Sequence, residues 1–518
     1  MFITFQILTI NNIITMRRAY VLFVLLVACV FNAKAQTDIP KDTVVTTKHE
    51  ANINGQHFTY LVHKGMQPVW NKEGKIVATL SYTYYEREGI SDKSSRPLTI
   101  SFNGGPGSAS LWMELGYTGP MRVNLDDEGH ALQPYGVKEN PYSILDATDI
   151  VYVDPVNTGY SRIVDKDAKG SEFFGVNEDI SYLSKWIQTF VTCNNRWLSP
   201  KFLIGESYGT TRVSGLANAL QDPSIGMFLN GVILLSPTDL GIKREGPVGQ
   251  ALNIPYYAAT AWYFKKLPAD LQNKKLEEIL PQIEYFTLNE LLPALAKGGA
   301  ISDNDKKNIE EKLERYTGIK QSVWDANNLN VTTNLFWKEL LRDKGYTIGR
   351  LDSRYLGIDE KEAGTHPDFN AEIPAWTRSF TPAANDYYKN DLNFKTNVPF
   401  WVLTGNVYPW NSDNDHTGYD LREAMQENPA LHLFVQSGYY DGSICSFFNA
   451  KYTMWQIGSS KNLRDRMTWK GYPCGHMIYM DKQSMIDGNN DIRNFIKNSI
   501  PAKGQSSDYS ILPARDAK

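Results

Sequence analysis

Residues 201–220 read KFLIGESYGTTRVSGLANAL. The apolar run Phe202-Leu203-Ile204 suits a buried strand and the residues after Gly209 recur with helical spacing, so Ser207 falls on a tight strand-to-helix turn. Gly205 and Gly209 lie two residues either side of it, where a side chain would collide with the turn. Such a turn lifts a serine hydroxyl above the sheet edge, within reach of a histidine and beside a helix N-terminus. Five residues of this form also occur in ordinary loops. The reading therefore requires an oxyanion loop upstream, and an acid followed by a histidine downstream.

Both are present. The apolar strand PLTISF at 97–102 runs into Asn103-Gly104-Gly105-Pro106-Gly107, where three glycines and a proline exclude an ordinary helix or strand. That loop could cradle a phosphate, but it lacks the Gly-Lys-Ser/Thr ending of a nucleotide loop, and Pro106 removes one donor. Downstream, an apolar strand at 431–435 ends in Ser437-Gly438-Tyr439-Tyr440-Asp441-Gly442, and Gly475-His476-Met477 follows a weaker strand at 467–470. Loops that follow parallel strands gather at one edge of a sheet, so Ser207, Asp441 and His476 can converge, in the chain order this architecture requires. His476 would accept the proton of Ser207 and return it to a leaving group, while Asp441 would hold the imidazole tautomer. The backbone N–H groups of Tyr208 and Gly105 would face the developing oxyanion. Taken singly, Asp441 reads as a turn cap and His476 as a satisfied core histidine; the other histidines lack comparable surroundings.

The 518 residues carry 53 basic and 57 acidic side chains, a formal charge of -4, with no basic block, so nothing recommends a nucleic-acid partner. Arg17 and Arg18 precede an apolar run at 20–31, and Ala33-Lys34-Ala35 has the spacing of a leader cleavage site. The expectation is a signal peptide over residues 1–35, with Met16 as an alternative start and no transmembrane segment in the mature protein, which would be periplasmic or secreted. Leu26-Val27-Ala28-Cys29 also has the form of a lipid-attachment box, which would leave a lipoprotein anchored through Cys29. Cys193, Cys445 and Cys474 have neither zinc-site nor thioredoxin-like spacing, so no metal or cofactor is expected.

Residues 36–51 are polar and read as loose, and residues 56–85 read as hairpins. Apolar strands at 149–154 and 231–236, with a helix at 178–190, repeat a strand–helix–strand order that argues for a mostly parallel central sheet with helices on both faces. Residues 241–397 are lysine- and glutamate-rich and largely helical, and read as an inserted cap between core parts at 36–240 and 398–500. Two strands, at 400–403 and 431–435, are expected to return the chain to the core; 501–518 reads as a tail.

Together the sequence resembles the serine carboxypeptidase family, proteins of the α/β-hydrolase fold with a helical insertion, which remove the C-terminal residue of peptides. The resemblance rests on residues 103–107, Glu114-Leu115-Gly116, Asp154-Pro155 with Gly159-Tyr160-Ser161, residues 205–209, Asp441 and Gly475-His476-Met477, in order over residues 56–497. It implies that Asn103, Gly104, Glu114 and Glu206 hold the terminal carboxylate of a peptide substrate. Two adjacent carboxyls can do so when they share a proton, which implies activity favoured at acidic pH. Secreted eukaryotic relatives often have a cysteine where Ser108 stands, and two glycines where Gly209-Thr210 has one. Cys445 and Cys474 lie on the loops carrying Asp441 and His476, where a bridge and two separate buried thiols are both open readings. Trp262, Tyr263, Phe264, Trp376 and Trp410 are candidates for lining subsites, or for core. An esterase or acyltransferase with the same triad, or a non-catalytic binding protein, are the alternative functions.

Overall fold

A computed structural model describes residues 41–502 and 504; residues 1–40, with Met16, Cys29 and the expected signal peptide, and nearly all of residues 501–518 lie outside the described residues. The strands are β1 (Thr43–Ile53), β2 (Gln56–Trp70), β3 (Ile76–Arg87), β4 (Leu98–Phe102), β5 (Met121–Val123), β6 (Val137–Glu139) and β7 (Asp149–Val153). There follow β8 (Arg162–Ile163), β9 (Lys201–Glu206), β10 (Gly231–Leu235), β11 (Thr347–Ile348), β12 (Leu356–Gly357), β13 (His432–Gly438) and β14 (Met467–Tyr472). A 10-stranded sheet runs β1-β2-β3-β7-β4-β9-β10-β13-β14, with β8 beside β3. β1 to β3 are antiparallel and β3 joins β7 antiparallel, whereas β7, β4, β9, β10, β13 and β14 are mutually parallel.

β4, β7, β9 and β10 are buried along their whole length, as parallel strands covered on both faces must be. Leu203, Val232 and Val435 pack with Leu183, Ile187 and Val213 from helices Val176–Cys193 and Tyr208–Ala219. Toward the other face, the rings of Phe202 and Phe434 meet Phe495 of helix Lys482–Asn498 at 6.2 and 5.5 Å. The register pairs Phe102 with Gly205, Leu235 with Glu206, and Leu235 with Gln436, so Asn103, Ser207, Ser236 and Ser437 reach one rim together.

At the opposite edge, Asp149 accepts hydrogen bonds from Arg96 (3.0 Å) and Arg196 (2.7 Å), and Arg196 also donates to the carbonyls of Arg96 and Pro97. Removing one member of a fully buried ion pair leaves its partner uncompensated. Arg196→Met is expected to lower stability by about 3–5 kcal/mol in urea unfolding at neutral pH; a loss below about 1 kcal/mol would contradict this assignment.

Two sequence expectations require correction. Of residues 36–51, read as loose, those from Thr43 onward belong to β1, which pairs with β2 from Thr43↔Met66 to Ile53↔Gln56. The alternating burial of TVVTTKHEANI is that of an edge strand with one covered face, and its many polar residues on the other face masked it. Residues 400–403 do not join the main sheet; they make isolated bridges, Trp401 with Gly159 and Leu403 with Ser108. A short apolar run has no periodicity that distinguishes a core strand from an extended brace.

Between β10 and β13 the chain is mainly helical, with helices such as Ile254–Tyr263, Leu276–Phe286, Asp303–Thr317 and Glu372–Asp386, and a small ribbon of β11 and β12. Part of this region shares a hydrophobic cluster with Tyr439, Tyr440, Phe447 and Phe448, and thereby packs against the segment that carries Asp441.

Candidate active site

Ser207 has φ 57° and ψ −128°, a backbone that L residues seldom adopt. Its N–H donates to Leu235 O at 3.0 Å, tying the turn to β10. A side chain at Gly209 would meet Phe102 O at 2.7 Å and Asn103 O at 3.0 Å, so the glycine permits the helix start to press against the end of β4. Tyr208 opens helix Tyr208–Ala219, and its N–H has no carbonyl of its own helix to bond.

The glycine-rich loop lies against this turn. A Cβ on Gly104 would collide with Tyr208 N and approach Ser207 Cβ to 2.9 Å. Gly105 has φ 107°, and a Cβ there would meet Gly107 N at 2.5 Å and Ser108 N at 2.7 Å. The brace at 401–404 holds the loop from outside: Ala109 N donates to Val402 O at 3.0 Å and Thr404 N to Gly107 O at 2.9 Å. From inside, buried Arg212 donates to Asn103 O at 2.7 Å and to Asp179 at 2.6 Å. The Arg212–Asp179 tie was not read from sequence, because nothing local marks a helix arginine as buried.

His476 Nδ1 lies 2.6 Å from Asp441 Oδ2, and both side chains are buried. Asp441 Oδ1 accepts from Ser443 N–H (2.9 Å) and its hydroxyl (2.6 Å), so both carboxylate oxygens are engaged. Leu351 O accepts from His476 N at 2.7 Å, and Ser236 Oγ donates to His476 O at 2.7 Å, fixing the histidine loop beside the ends of β9 and β10. Burial pulls the imidazole pKa down, but the Asp441 carboxylate, and then that of Glu206, raise it above the ordinary histidine value.

Cys445 and Cys474 are buried free thiols, so the bridge considered between them is not formed, and each loop is held by hydrogen bonds and packing. Ligand atoms of Asp441, Cys445 and His476 lie within 4.8 Å of one another, a set a soft cation could use. Asp441 and His476 are already bonded to each other, however, and burial raises the Cys445 pKa, which keeps the thiol protonated.

Glu206, next to the nucleophile candidate, accepts from Asn103 Nδ2 and, at 3.0 Å, from Tyr479 OH. Its other oxygen is buried without a hydrogen-bond partner. Burial pushes its pKa up to about 7. Tyr479 is a further residue that sequence reasoning missed; its position three residues after His476 is the one signal for it.

Glu114 departs from the expected shared-proton pair. Tyr85 OH donates to one of its oxygens at 2.7 Å, and Tyr388 OH (2.7 Å) and Thr83 (3.3 Å) donate to the other. Lys64, buried beside it, donates to Thr83 at 3.0 Å and its cation stands 4.1 Å from the Tyr388 ring centroid. The two carboxyls thus draw on separate partners; burial raises the Glu114 pKa, and the nearby Lys64 cation opposes that rise. Of the aromatic candidates, Trp376 is core, whereas Trp410 donates to Tyr208 OH at 3.1 Å and Tyr263 is exposed beside Tyr440.

The mostly parallel sheet, with a strained strand-to-helix turn after β9 and a buried histidine–aspartate pair beyond β13 and β14, is an α/β-hydrolase fold. Residues 71–236 match the family model for serine carboxypeptidases. Among curated relatives, serine carboxypeptidase-like 29 of Arabidopsis thaliana is 30% identical over 155 residues, covering 29% of this chain and 30% of that protein. Serine carboxypeptidase-like 36 of the same organism is 27% identical over 326 residues, covering 56% of this chain and 65% of that protein. The matches thus span between about a third and two thirds of these relatives' lengths. The solved structure of Kex1(delta)p, a prohormone-processing carboxypeptidase from Saccharomyces cerevisiae, aligns over 86% of this chain and 93% of its own, with TM-score 0.53 and 16% identity, a likeness of fold. Over residues 71–236 the chain is similar to the serine carboxypeptidase family.

Proposed function

We propose that this protein is a serine-type carboxypeptidase acting on peptides with a free C-terminus. Ser207 Oγ attacks the carbonyl of the last peptide bond while His476 Nε2 takes its proton, and Asp441 steadies the imidazolium through Nδ1–H. The N–H groups of Gly105 and Tyr208 hold the oxyanion. Collapse of the tetrahedral species releases the C-terminal amino acid with the proton from His476, and water then hydrolyses the ester on Ser207.

The observation that carries the reading is Glu206: a buried carboxyl beside the nucleophile, with one oxygen unpartnered and a pKa of about 7. In its protonated form it donates to a substrate carboxylate, with Asn103 and the N–H of Gly104 completing the receptor. Glu114, held by the hydroxyls of Tyr85 and Tyr388, supports this receptor from behind. Residues 241–397 act as the cap over the cleft. The basic pair, apolar run and small residues within 1–35 support export of the chain.

The test is to follow a peptide of mixed sequence by mass spectrometry; stepwise loss from the C-terminus by the parent and none by Ser207→Ala is the expected result. Cleavage of simple esters without any peptide cleavage would replace the reading with an esterase. The pH dependence follows from Glu206. Below about pH 7 its carboxyl is neutral and can donate, and above that it is an anion that repels the substrate carboxylate. For a free-acid peptide kcat/KM is therefore expected to fall as pH rises through about 7, while the same peptide as its amide loses far less. Glu206→Gln, neutral at every pH, should flatten that fall. Superimposable profiles for acid and amide would remove Glu206 from carboxylate recognition.

A further inference from the structure

β9, which ends beside Ser207, runs between β4 and β10. Asn103 follows β4 on one side, the side proposed to take the terminal carboxylate. On the other side, Asp239 beyond β10 and Gly442, Ser443 and Ile444 beyond β13 line a cavity of about 550 Å³, to which Trp337 of the inserted region also contributes. A peptide laid across the rim with its terminal carboxylate at Asn103 therefore points the residue before the scissile bond toward this cavity.

The charged groups facing the cavity are Lys243, Arg244 and Arg350 against Asp239 and Glu245. Arg244 Nη2 donates to Ile444 O at 3.1 Å, but its Nη1 is buried without a hydrogen-bond partner. Lys243 and Arg350 form no ion pair among the described residues. Arg350 is fixed next to the catalytic candidates, since its carbonyl accepts from Gly442 N at 3.0 Å, one residue after Asp441. Asp239 attracts Arg244 only at a distance, and Glu245 is exposed. A guanidinium N–H withdrawn from water without an acceptor is costly, and a carboxylate satisfies it with a charge-assisted, bidentate geometry.

We infer that this cavity selects an acidic side chain, aspartate or glutamate, at the residue immediately before the scissile bond. The inference rests on the carboxypeptidase reading and assigns Arg244 and Arg350 as its specificity residues, with Lys243 at the mouth.

The test compares two peptides that differ only in glutamate or glutamine at the penultimate position. The kcat/KM ratio is expected to favour glutamate by about tenfold or more in the parent, to approach one in Arg244→Gln and Arg350→Gln, and to turn toward a lysine peptide in Arg350→Glu. The same pair is titrated calorimetrically onto Ser207→Ala, where the Kd ratio reads the cavity without turnover. Release of the last residue from both peptides at similar rates, or a preference for lysine in the parent, overturns the inference and leaves the activity standing. Release from neither peptide overturns the activity, and the Kd ratio then decides the cavity by itself: a ratio near one rejects it.

Discussion

Ser207→Ala is expected to lower kcat on a free-acid peptide by about 10⁴-fold or more, with a melting curve that overlays the parent's. The size follows from what the side chain supplies. Without Oγ no acyl-enzyme forms, and what remains is the oxyanion donors acting on an unactivated water. The fold should not register the change, because the turn is held by backbone, Ser207 N to Leu235 O and Thr210 N to Ser207 O, and by close approaches at the neighbouring glycines. Steady-state turnover and calorimetric melting check both halves. Retention of more than about a tenth of parent kcat would place the nucleophile elsewhere.

Gly104→Ala is expected to cost about 10²–10³ in kcat, the loss associated with one oxyanion donor. The added methyl would collide with Tyr208 N and crowd Ser207 Cβ, so the loop at 103–107 must move away from the helix start, which separates the two proposed donors. The labelling rate of Ser207 by a fluorophosphonate gives a second reading, since the same donors stabilise its pentacoordinate transition state, and it should fall in parallel. Gly299→Ala, whose Cβ would meet nothing within 4 Å, serves as the control. A Gly104→Ala protein with parent rates of both turnover and labelling would detach this loop from the chemistry.

The parts of the site that could be read from sequence are those carried by local backbone demands. Glycines flanking Ser207, the crowded run at 103–107, and a loop residue after each of two strands announce themselves because their conformations admit few residue types. The pairing of His476 with Asp441 was legible for a related reason: loops after parallel strands share one rim whatever their separation in the chain. Glu114 shows the limit. Its motif pointed to a proton shared with Glu206, whereas its oxygens meet Tyr85, Tyr388 and Thr83, with Lys64 alongside. Lys64 sits in β2 on the face of Tyr60, Val62 and Met66, so alternation turns it inward, but only the fold brings the Tyr388 ring over its cation.

By itself, then, the amino-acid sequence determined the strand-to-helix turn at Ser207, the glycine loop after β4, the order of the three candidate catalytic residues and the parallel core, since each follows from what nearby residues permit the backbone to do. Only the tertiary structure decided which charges stand together: Arg212 behind Asn103, Tyr479 on Glu206, Lys64 by Glu114, and Arg244 and Arg350 around the cavity beyond β10 and β13. The physical reason is that a charged side chain's role depends on burial and on partners brought from distant segments, and neither leaves a periodic trace in the chain.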